Sequence, residues 1–361
     1  MLPKEVIFSY FPKNTRKRYI SLLTTFSSLD EAWLAEKKEF TKTGWKKELI
    51  DEFFFWKQHF NTEKAETVLH QQDISYILEN DPRYPNLLKN IYDPPFCLFL
   101  RGNLLKETTS LAVVGPRKNT PYGKRVTENF VETLVHSGLT ITSGLAYGID
   151  AIAHKTTLLL NGKTIAVLGG GVDKYHISPR NHTALAEEII SKGGAIISEF
   201  PPGTVPSRFT FPKRNRIVAG KTVGTLIIEA GEKSGALITA QCATDAHREV
   251  FVVPQNIYSP TAIGANKLIQ SGAHLVTNPN QILEILGITT QDAQKKQQCG
   301  PPLSTQESEI LKHLSNEPQH IDLLIIKSKK KSGEILSILT VLEMKGWVKN
   351  LGNMMYIQNQ M

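Results

Sequence analysis

Between residues 111 and 287, seven short apolar segments alternate with amphipathic segments, and this alternation restricts the possible folds more than any other feature of the sequence. The apolar segments span residues 111–114, 139–142, 164–168, 195–198, 224–228, 250–253 and 274–277. The segments between them have helical spacing, as Val126, Phe130 and Leu134 show. Strands and helices that alternate in this way build a mostly parallel sheet covered by helices on both faces. We therefore predict a doubly wound, Rossmann-like α/β domain over residues 111–287.

The chain on either side of this core has a different character. Residues 1–70 are predicted to be helical, because their apolar residues recur at helical spacing. Residues 71–110, which contain several proline turns, are predicted to be a connector attached to the core. The Gln- and Lys-rich residues 288–303 are predicted to be a linker. Residues 304–361 show three helical segments and a hairpin, which predicts a small winged-helix domain whose partner is either DNA or protein.

Charge and cysteine content narrow the class of protein. The 361-residue chain has a formal net charge of +8. Residues 111–287 hold +5 of this, with 17 Lys and Arg against 12 Asp and Glu. A basic surface favours polyanions, although anionic metabolites and membrane surfaces also qualify. The three cysteines are far apart, and neither a secretory signal nor an apolar stretch long enough to span a bilayer is visible, so we expect a cytoplasmic protein without disulfides or membrane contact.

Glycine recurs where predicted strands give way to helices. In a doubly wound fold these loops meet beyond the carboxyl ends of the strands, where such folds bind ligands. Glycine also lets backbone N–H groups approach phosphate oxygens at helix N-termini. The loops lie at residues 115–117, 143–148, 169–173, 209–216 and 230–235. Their convergence predicts a phosphate-binding site.

The loop at residues 209–216 reads Phe-Thr-Phe-Pro-Lys-Arg-Asn-Arg and lies in a stretch without acidic residues. No Asp or Glu occurs between Glu199 and Glu229, whereas five cations do. Cations pair with phosphates and aromatic rings stack on exposed bases, so this composition favours single-stranded nucleic acid. The alternative is a solvated loop whose Phe209 and Phe211 fill the core.

Motifs of nucleotide-binding proteins and enzymes are incomplete. The Gly-Lys-Thr triplets at residues 162–164 and 220–222 lack the upstream glycine of a P-loop and precede strands instead of following them. No Gly-x-Gly-x-x-Gly follows the first predicted strand. Asp150 and His154 are four residues apart, which fits a cap and a surface pair, and Ser234 fits a helix cap. We predict no catalytic residue, no metal site and no cofactor.

These motifs together resemble the DprA/Smf family of DNA-processing proteins, which are cytoplasmic bacterial proteins of natural transformation. The resemblance runs through Asp81-Pro82-Arg83-Tyr84-Pro85, Val114-Gly115-Pro116-Arg117, Ser143-Gly144-Leu145-Ala146-Tyr147-Gly148-Ile149-Asp150, Val167-Leu168-Gly169-Gly170-Gly171-Val172-Asp173, Ser198-Glu199-Phe200-Pro201, Phe211-Pro212-Lys213-Arg214-Asn215-Arg216 and Ser234-Gly235-Ala236. It implies an extended Rossmann domain that binds single-stranded DNA in a basic pocket, forms a homodimer, protects incoming strands and loads the RecA recombinase on them.

The resemblance also implies which residues bind DNA. The residues predicted to bind single-stranded DNA are Gly115, Arg117, Ser143, Gly144, Gly169, Gly170, Phe211, Lys213, Arg214, Asn215, Arg216, Ser234 and Gly235. Pro116 stands where the family usually has a small hydroxyl residue, which removes one N–H group and one hydroxyl from the phosphate cradle. The helical N-terminal domain corresponds to a SAM/HhH-like domain but lacks the glycine turns of a helix-hairpin-helix, so we predict no DNA-binding role for it.

The main alternative is an enzyme, a Rossmann-like nucleoside-monophosphate phosphoribohydrolase of the lysine decarboxylase-like group. Such proteins use a Pro-Gly-Gly-x-Gly-Thr-x-x-Glu loop. This chain keeps Gly224 and Thr225, but its glutamate, Glu229, is shifted by one residue and residues 221–223 replace the Pro-Gly-Gly portion. Release of adenine from AMP would distinguish this enzyme from a DNA-binding protein.

Overall fold

The computed structural model describes residues 2–104, 109–288, 304–315, 317–328 and 330–358. The chain divides into two compact units, Met1–Ile288 and Thr289–Met361. Apart from Ile288, the predicted linker at residues 288–303 lies outside the described residues. Within the described ranges, no helix is both long and apolar enough to cross a membrane.

The N-terminal part of the first unit is helical, as predicted. Its helices are α1 (Lys4–Ser9), α2 (Arg16–Thr25), α3 (Leu29–Leu34), α4 (Lys47–His59), α5 (Thr62–Gln71) and α6 (Asn86–Lys89). Thr15 caps α2 by accepting a hydrogen bond from Arg18 N, and Ser28 caps α3 in the same way. Buried aromatic rings such as Phe40 and Phe53 hold α1 to α5 together, whereas Leu88 of α6 belongs to another buried cluster.

One sheet crosses the first unit, and nine strands of the described chain belong to it. They are β1 (Ser75–Leu78), β2 (Cys97–Gly102), β3 (Ser110–Val114), β4 (Thr140–Ser143), β5 (Thr164–Val167), β6 (Ala195–Ser198), β7 (Gly224–Ile227), β8 (Glu249–Val252) and β9 (His274–Leu275). Their order is β1-β2-β6-β5-β4-β3-β7-β8-β9. The pairs from β6 to β9 are parallel, whereas β2 pairs antiparallel with β1 and β6. The predicted doubly wound, mostly parallel sheet is confirmed.

Helices connect the parallel strands and cover both faces of the sheet. They are α7 (Pro121–His136), α8 (Ile149–Leu159), α9 (Thr183–Ser191), α10 (Thr210–Gly220), α11 (Gly235–Asp245), α12 (Ile263–Gln270) and α13 (Pro279–Ile285). Alternate residues of one strand enter different cores, since Leu111 and Val113 pack with α7 while Ala112 and Val114 pack with α10 and α11.

Helix α10 replaces the loop predicted at residues 209–216. The side chain of Ser207 accepts a hydrogen bond from Thr210 N at 3.3 Å and so supports the first turn. Pro212 lies in that turn, where the N–H group that proline lacks would have no intrahelical partner. The second half of the helix, from Ile217 to Gly220, is buried. The polar start of α10 is therefore a helix because its apolar end packs on the sheet.

The second unit has the three helices and the hairpin that the sequence predicts. Its elements are α14 (Thr305–His313), β10 (Gln319–His320), α15 (Ile321–Ser328), α16 (Ser332–Met344), β11 (Val348–Asn350) and β12 (Met355–Gln358). The three strands pair in the order β10-β12-β11. Ile310, Leu324, Ile335 and Leu339 are fully buried and form its core.

Candidate nucleic-acid interface

The strand order reverses between β3 and β7, and a cleft opens beyond the carboxyl ends of these strands. From β3 the chain continues through β4, β5 and β6 on one side, and from β7 it continues through β8 and β9 on the other. Open α/β sheets bind ligands at such a switch point. The cleft has a volume of about 480 Å³. Its lining comes from residues 114–117, Gly144, Ala146, Asp150, residues of α10, residues between 231 and 239, and Thr261.

Two faces of helix α10 line different pockets, and they divide the basic run between these pockets. Phe211, Pro212, Arg214, Asn215 and Val218 line the switch-point cleft. Lys213 and Arg216 instead line a second pocket beside α2 and Asp93. At 100° per residue, Lys213 and Arg216 project from the side of the helix opposite to Phe211. The cations of this run therefore do not share one pocket.

The Phe211 ring packs on Gly169 and lies beneath the guanidinium of Arg117. A Cβ atom on Gly169 would be 2.8 Å from Phe211 Cδ1, so only glycine leaves room for the ring. Arg117 Cζ is 5.1 Å from the ring centroid, which is within the range of a cation–π interaction. Phe211 is half-buried, and Phe209 is 73% exposed. The alternative in which both rings fill the core is therefore wrong.

Arg214 is buried beneath the cleft and holds its loops together. Its Nη1 donates to the carbonyl oxygen of Gly144 at 2.7 Å and to that of Val167, and its Nε donates to Asn215 Oδ1 at 3.1 Å. Burial lowers the pKa of Arg214 to about 10, and the charge of Asp150 opposes this shift. Arg214 thus stays charged at neutral pH, while most of its donors are already used by the protein.

Asp150 and His154 do not form the surface pair that their spacing predicts, because α8 turns both side chains into the protein. Asp150 accepts hydrogen bonds from Gly144 N at 3.1 Å and Ala146 N at 3.3 Å. Burial raises its pKa, while Arg214 and these N–H groups favour the charged form. The carboxylate of Asp150 therefore fixes the loop that follows β4.

His154 is fully buried, and its hydrogen bonds define its tautomer. Its Nδ1 is 2.7 Å from Thr164 Oγ1, and that hydroxyl donates its own proton to Ile141 O at 2.7 Å. His154 Nδ1 must therefore carry a proton and donate, which leaves Nε2 without one. Burial lowers the pKa of His154 to about 3, so the ring is neutral at physiological pH.

The loop after β3 rests on the start of α8. Pro116 O accepts a hydrogen bond from Ile149 N at 3.4 Å. Gly148 has a φ of +77°, and a Cβ atom there would be 2.2 Å from Pro116 O. The close contact and the left-handed backbone both require glycine. Pro116 thus presents a carbonyl to the protein, and Arg117 follows it as an exposed side chain at the mouth of the cleft.

The start of α11 forms the opposite wall of the cleft. Ser234 caps this helix by accepting a hydrogen bond from Ala236 N at 3.3 Å, so the predicted cap is confirmed. Asn215 Nδ2 donates to Gly235 O at 3.4 Å and ties α10 to this wall. Lys233, immediately before the cap, is exposed and lines the cleft. It was absent from the predicted site, although it is the only cation in the loop at residues 230–235.

The structure sorts the predicted DNA-binding residues into two groups. Those that line the switch-point cleft are Gly115, Arg117, Gly144, Phe211, Arg214, Asn215, Ser234 and Gly235. Those that lie elsewhere are Ser143, Gly169, Gly170, Lys213 and Arg216. Ser143 is buried and donates to Val113 O at 2.7 Å. A Cβ atom on Gly170 would be 2.5 Å from Pro206 Cγ.

Glu229, the glutamate of the enzyme alternative, is fully buried. It accepts hydrogen bonds from Thr120 Oγ1 at 2.5 Å and from Thr120 N at 3.1 Å. Thr120 is the N-cap of α7, and a Cβ atom on Gly123 in the first turn would be 2.4 Å from Glu229 Oε2. This carboxylate therefore stabilises a helix N-terminus and has no access to the cleft.

Two family models match this chain. The model for DNA recombination-mediator protein A matches residues 75–287, and the model for the DprA winged helix domain matches residues 294–354. The first begins at β1 and ends after α13, and the second covers most of the predicted winged helix.

Curated relatives and solved structures agree with these models. The chain is 39% identical to protein Smf of Escherichia coli over 78% of this chain and 76% of that protein. It is 33% identical to protein Smf of Synechocystis over 92% of both chains. DNA processing protein A of Streptococcus pneumoniae superimposes with a TM-score of 0.67 at 32% identity, covering 78% of this chain and 95% of that one. The protein of the same name from Helicobacter pylori, solved for its single-stranded DNA binding mode, gives a TM-score of 0.53 at 30% identity and covers 59% of this chain and 95% of that one. The chain therefore belongs to the DprA/Smf family of DNA-processing proteins.

Proposed function

We propose that the switch-point cleft binds single-stranded DNA, with Arg117 and Phe211 as the pair that meets a base. The stacked contact between these two residues at the mouth of a basic cleft is the observation that carries the proposal. A base stacks either on the guanidinium plane of Arg117 or on the Phe211 ring after Arg117 has moved to a phosphate. The relative from Helicobacter pylori, which was solved for its binding of single-stranded DNA, supports this role.

Exposed cations around the cleft provide the contacts to phosphate. Arg117 and Lys233 line the cleft and are exposed, and Lys118 follows Arg117 on the same loop. Each cation that pairs with a phosphate releases counterions, which makes binding dependent on salt. Arg214 has a different role in this proposal, because its donors hold Gly144 and Val167. It supports the loops that carry the binding residues.

The family resemblance suggests further properties beyond the binding of single-stranded DNA. We propose that residues 111–287 carry the DNA site, and that the protein forms a homodimer, protects incoming strands and loads the RecA recombinase during natural transformation. Light scattering at tens of micromolar tests the dimer. The rate of RecA filament formation on a strand coated with single-strand-binding protein, with and without this chain, tests loading.

The enzyme alternative has less support. A phosphoribohydrolase of the lysine decarboxylase-like group needs its loop glutamate at the substrate, whereas Glu229 caps α7 from a fully buried position. We therefore propose a binding protein that does not turn over nucleotides. Adenine released from AMP by the purified protein would refute this.

The experiment that tests the DNA site is a titration of a labelled oligonucleotide with wild type and Phe211→Ala. Loss of a stacking ring should weaken single-strand binding by about 1 to 3 kcal/mol, or roughly 5- to 150-fold. Binding to duplex DNA, whose base faces are hidden, should not change. Phe55→Ala is the matched control, because Phe55 is a 66% exposed ring on α4, outside the cleft. A folded Phe211→Ala protein that binds single strands like wild type would refute the role of this ring.

A further inference from the structure

A second pocket, of about 190 Å³, lies between α2 and α10. It is formed by the N-terminus of α2, by residues 93–97, and by Glu199, Lys213 and Arg216. The lining combines the cations Arg16, Lys17, Lys213 and Arg216 with the acids Asp93 and Glu199. The pocket is thus positively charged at its rim and has both hydrogen-bond donors and acceptors inside.

Glu199 lines this pocket and carries an unpaired oxygen. Its side chain is only 8% exposed. Oε2 accepts a hydrogen bond from Arg216 Nη2 at 2.6 Å and lies 3.4 Å from Lys213 Nζ. Oε1 is buried and has no hydrogen-bond partner in the described part of the chain. A buried carboxylate oxygen without a donor is costly, so its position indicates a ligand that donates a hydrogen bond.

Arg216 offers the complementary group. Its Nε and Nη1 are both buried, and neither donates a hydrogen bond to any described residue. Its Nε is 3.2 Å from Asp93 Oδ2, and its Nη2 is held by Glu199, so the guanidinium is fixed in place. A free acceptor and free donors, on two side chains that contact each other, match the edge of a nucleobase, where donors and acceptors are also neighbours.

The N-terminus of α2 adds groups that suit a phosphate. The first N–H groups of a helix have no intrahelical acceptor, and α2 is a ten-residue helix that begins at Arg16. Arg16 is held by Glu79, with Nη2 donating to Oε1 at 2.8 Å. Lys17 is exposed at the rim and is the cation positioned to pair with a phosphate.

We propose that this pocket is a second nucleotide subsite, in which Glu199 and Arg216 bind a base edge and Lys17 binds the adjoining phosphate. The proposal rests on the proposed binding of single-stranded DNA in the switch-point cleft. The two sites lie on opposite faces of α10, and a helix with its side chains is about 10 to 12 Å across. One strand that crosses the start of α10 can therefore occupy both sites, with Lys213 beside its path. The N-terminal helices then take part in binding, contrary to the expectation from the sequence.

The test measures the affinity of oligothymidylates of increasing length for wild type, Lys17→Ala and Lys64→Ala. Lys64 is an exposed lysine on α5 outside both pockets, so its replacement is the matched control for charge. The shortest oligonucleotides, which fill only the switch-point cleft, should bind all three proteins equally. Longer ones should bind Lys17→Ala about fivefold more weakly at 0.1 M salt, with the salt slope flatter by about 0.7, as expected for one phosphate contact.

Glu199→Gln separates the base contact from charge. Removal of a negative charge strengthens a purely electrostatic site, so weaker binding of the longer oligonucleotides would report a lost base contact. Thermal melting checks that this buried variant is folded.

Equal binding of all lengths by Lys17→Ala and wild type would overturn the subsite and leave the cleft intact. An equal loss in Lys17→Ala and Lys64→Ala would also overturn it, because the effect would then be one of net charge. Tighter binding by Glu199→Gln would show that Glu199 acts only through its charge and would contradict the proposed contact with a base. If wild type binds no oligonucleotide, the proposed function fails as well.

Discussion

The guanidinium of Arg214 lies directly against Gly144, to whose carbonyl oxygen it donates a hydrogen bond at 2.7 Å. A Cβ atom on Gly144 would be 2.4 Å from Arg214 Nη2 and 2.6 Å from Cζ. The glycine is required here by a side chain of α10, whereas the sequence suggested that it makes room for phosphate. The loop after β4 and the helix that carries Phe211 are therefore positioned by the same contact.

Gly144→Ala should destabilise the protein. The new methyl group displaces a buried guanidinium from its carbonyl acceptors, and a buried charged group that loses its hydrogen bonds costs about 3 kcal/mol. Urea denaturation should show a lower midpoint without a change in slope. Gly235→Ala is the control, because a Cβ atom there meets nothing within 4 Å and its stability should stay near that of wild type. A Gly144→Ala protein as stable as wild type would show that Arg214 has another position available.

Arg117→Ala and Arg214→Ala should behave differently in a salt titration. Arg117 is exposed, so its loss should leave folding intact and flatten the slope of log affinity against log salt by about 0.7. Arg214 is 5% exposed, so its loss should lower the melting temperature markedly. A stable Arg214→Ala protein with the flatter slope would place this guanidinium on a phosphate.

His154 should make the stability of the protein depend on pH. Its pKa is about 3 in the folded chain and about 6.5 when unfolded, so the unfolded state binds one more proton between these values. The contribution of His154 to the free energy of unfolding should therefore be fully present above pH 6.5. It should fall as the pH drops towards 3, by up to about 1.4 kcal/mol per pH unit. Denaturant midpoints between pH 7 and pH 5 measure this.

His154→Asn should reduce that dependence. The amide nitrogen of asparagine can donate to Thr164 Oγ1 from nearly the position of Nδ1 and does not titrate in this range. The variant starts from a lower stability, because the ring volume is lost, but its midpoint should change less with pH. The same slope in both proteins would assign the effect to another group.

Ending the chain near residue 301 should leave single-strand affinity nearly unchanged. The cleft and the pocket beside α2 both belong to the first unit, and α16, the third helix of the second unit, contains no Lys or Arg between Ser332 and Met344. Glu334 and Glu343 are exposed on that helix. A large loss of affinity on truncation, measured with the same oligonucleotide, would move the DNA site to the winged helix.

The sequence predicted the parallel core well, because each buried strand is a short apolar run between amphipathic helices. It missed β1, since four residues beside a connector give no clear alternation. It also read the start of α10 as a loop, because proline and three cations hide the helical spacing of its buried end.

Because the start of α10 was read as a loop, the sequence did not predict that the candidate site is divided between two pockets. A loop can point all its side chains into one pocket, whereas a helix separates Phe211 from Lys213 and Arg216. Sequence spacing alone therefore could not separate the two surfaces on which these residues lie. The sequence did not suggest Glu199, because its proposed role depends on a contact with Arg216 that only the fold creates.

The antiparallel pairing of β2 with β6 determines how the Rossmann-like core can be separated from the rest of the chain. A fragment that began at Leu111, where the apolar alternation starts, would leave β6 as an open edge strand. Such an edge exposes a row of unpaired N–H and C=O groups, which promotes association between chains. A fragment that begins before Ser75 keeps β1 and β2 as the cover of that edge. The shortest fragment that keeps this edge covered must therefore include β2, a strand that lies outside the alternating strands and helices of the Rossmann-like core.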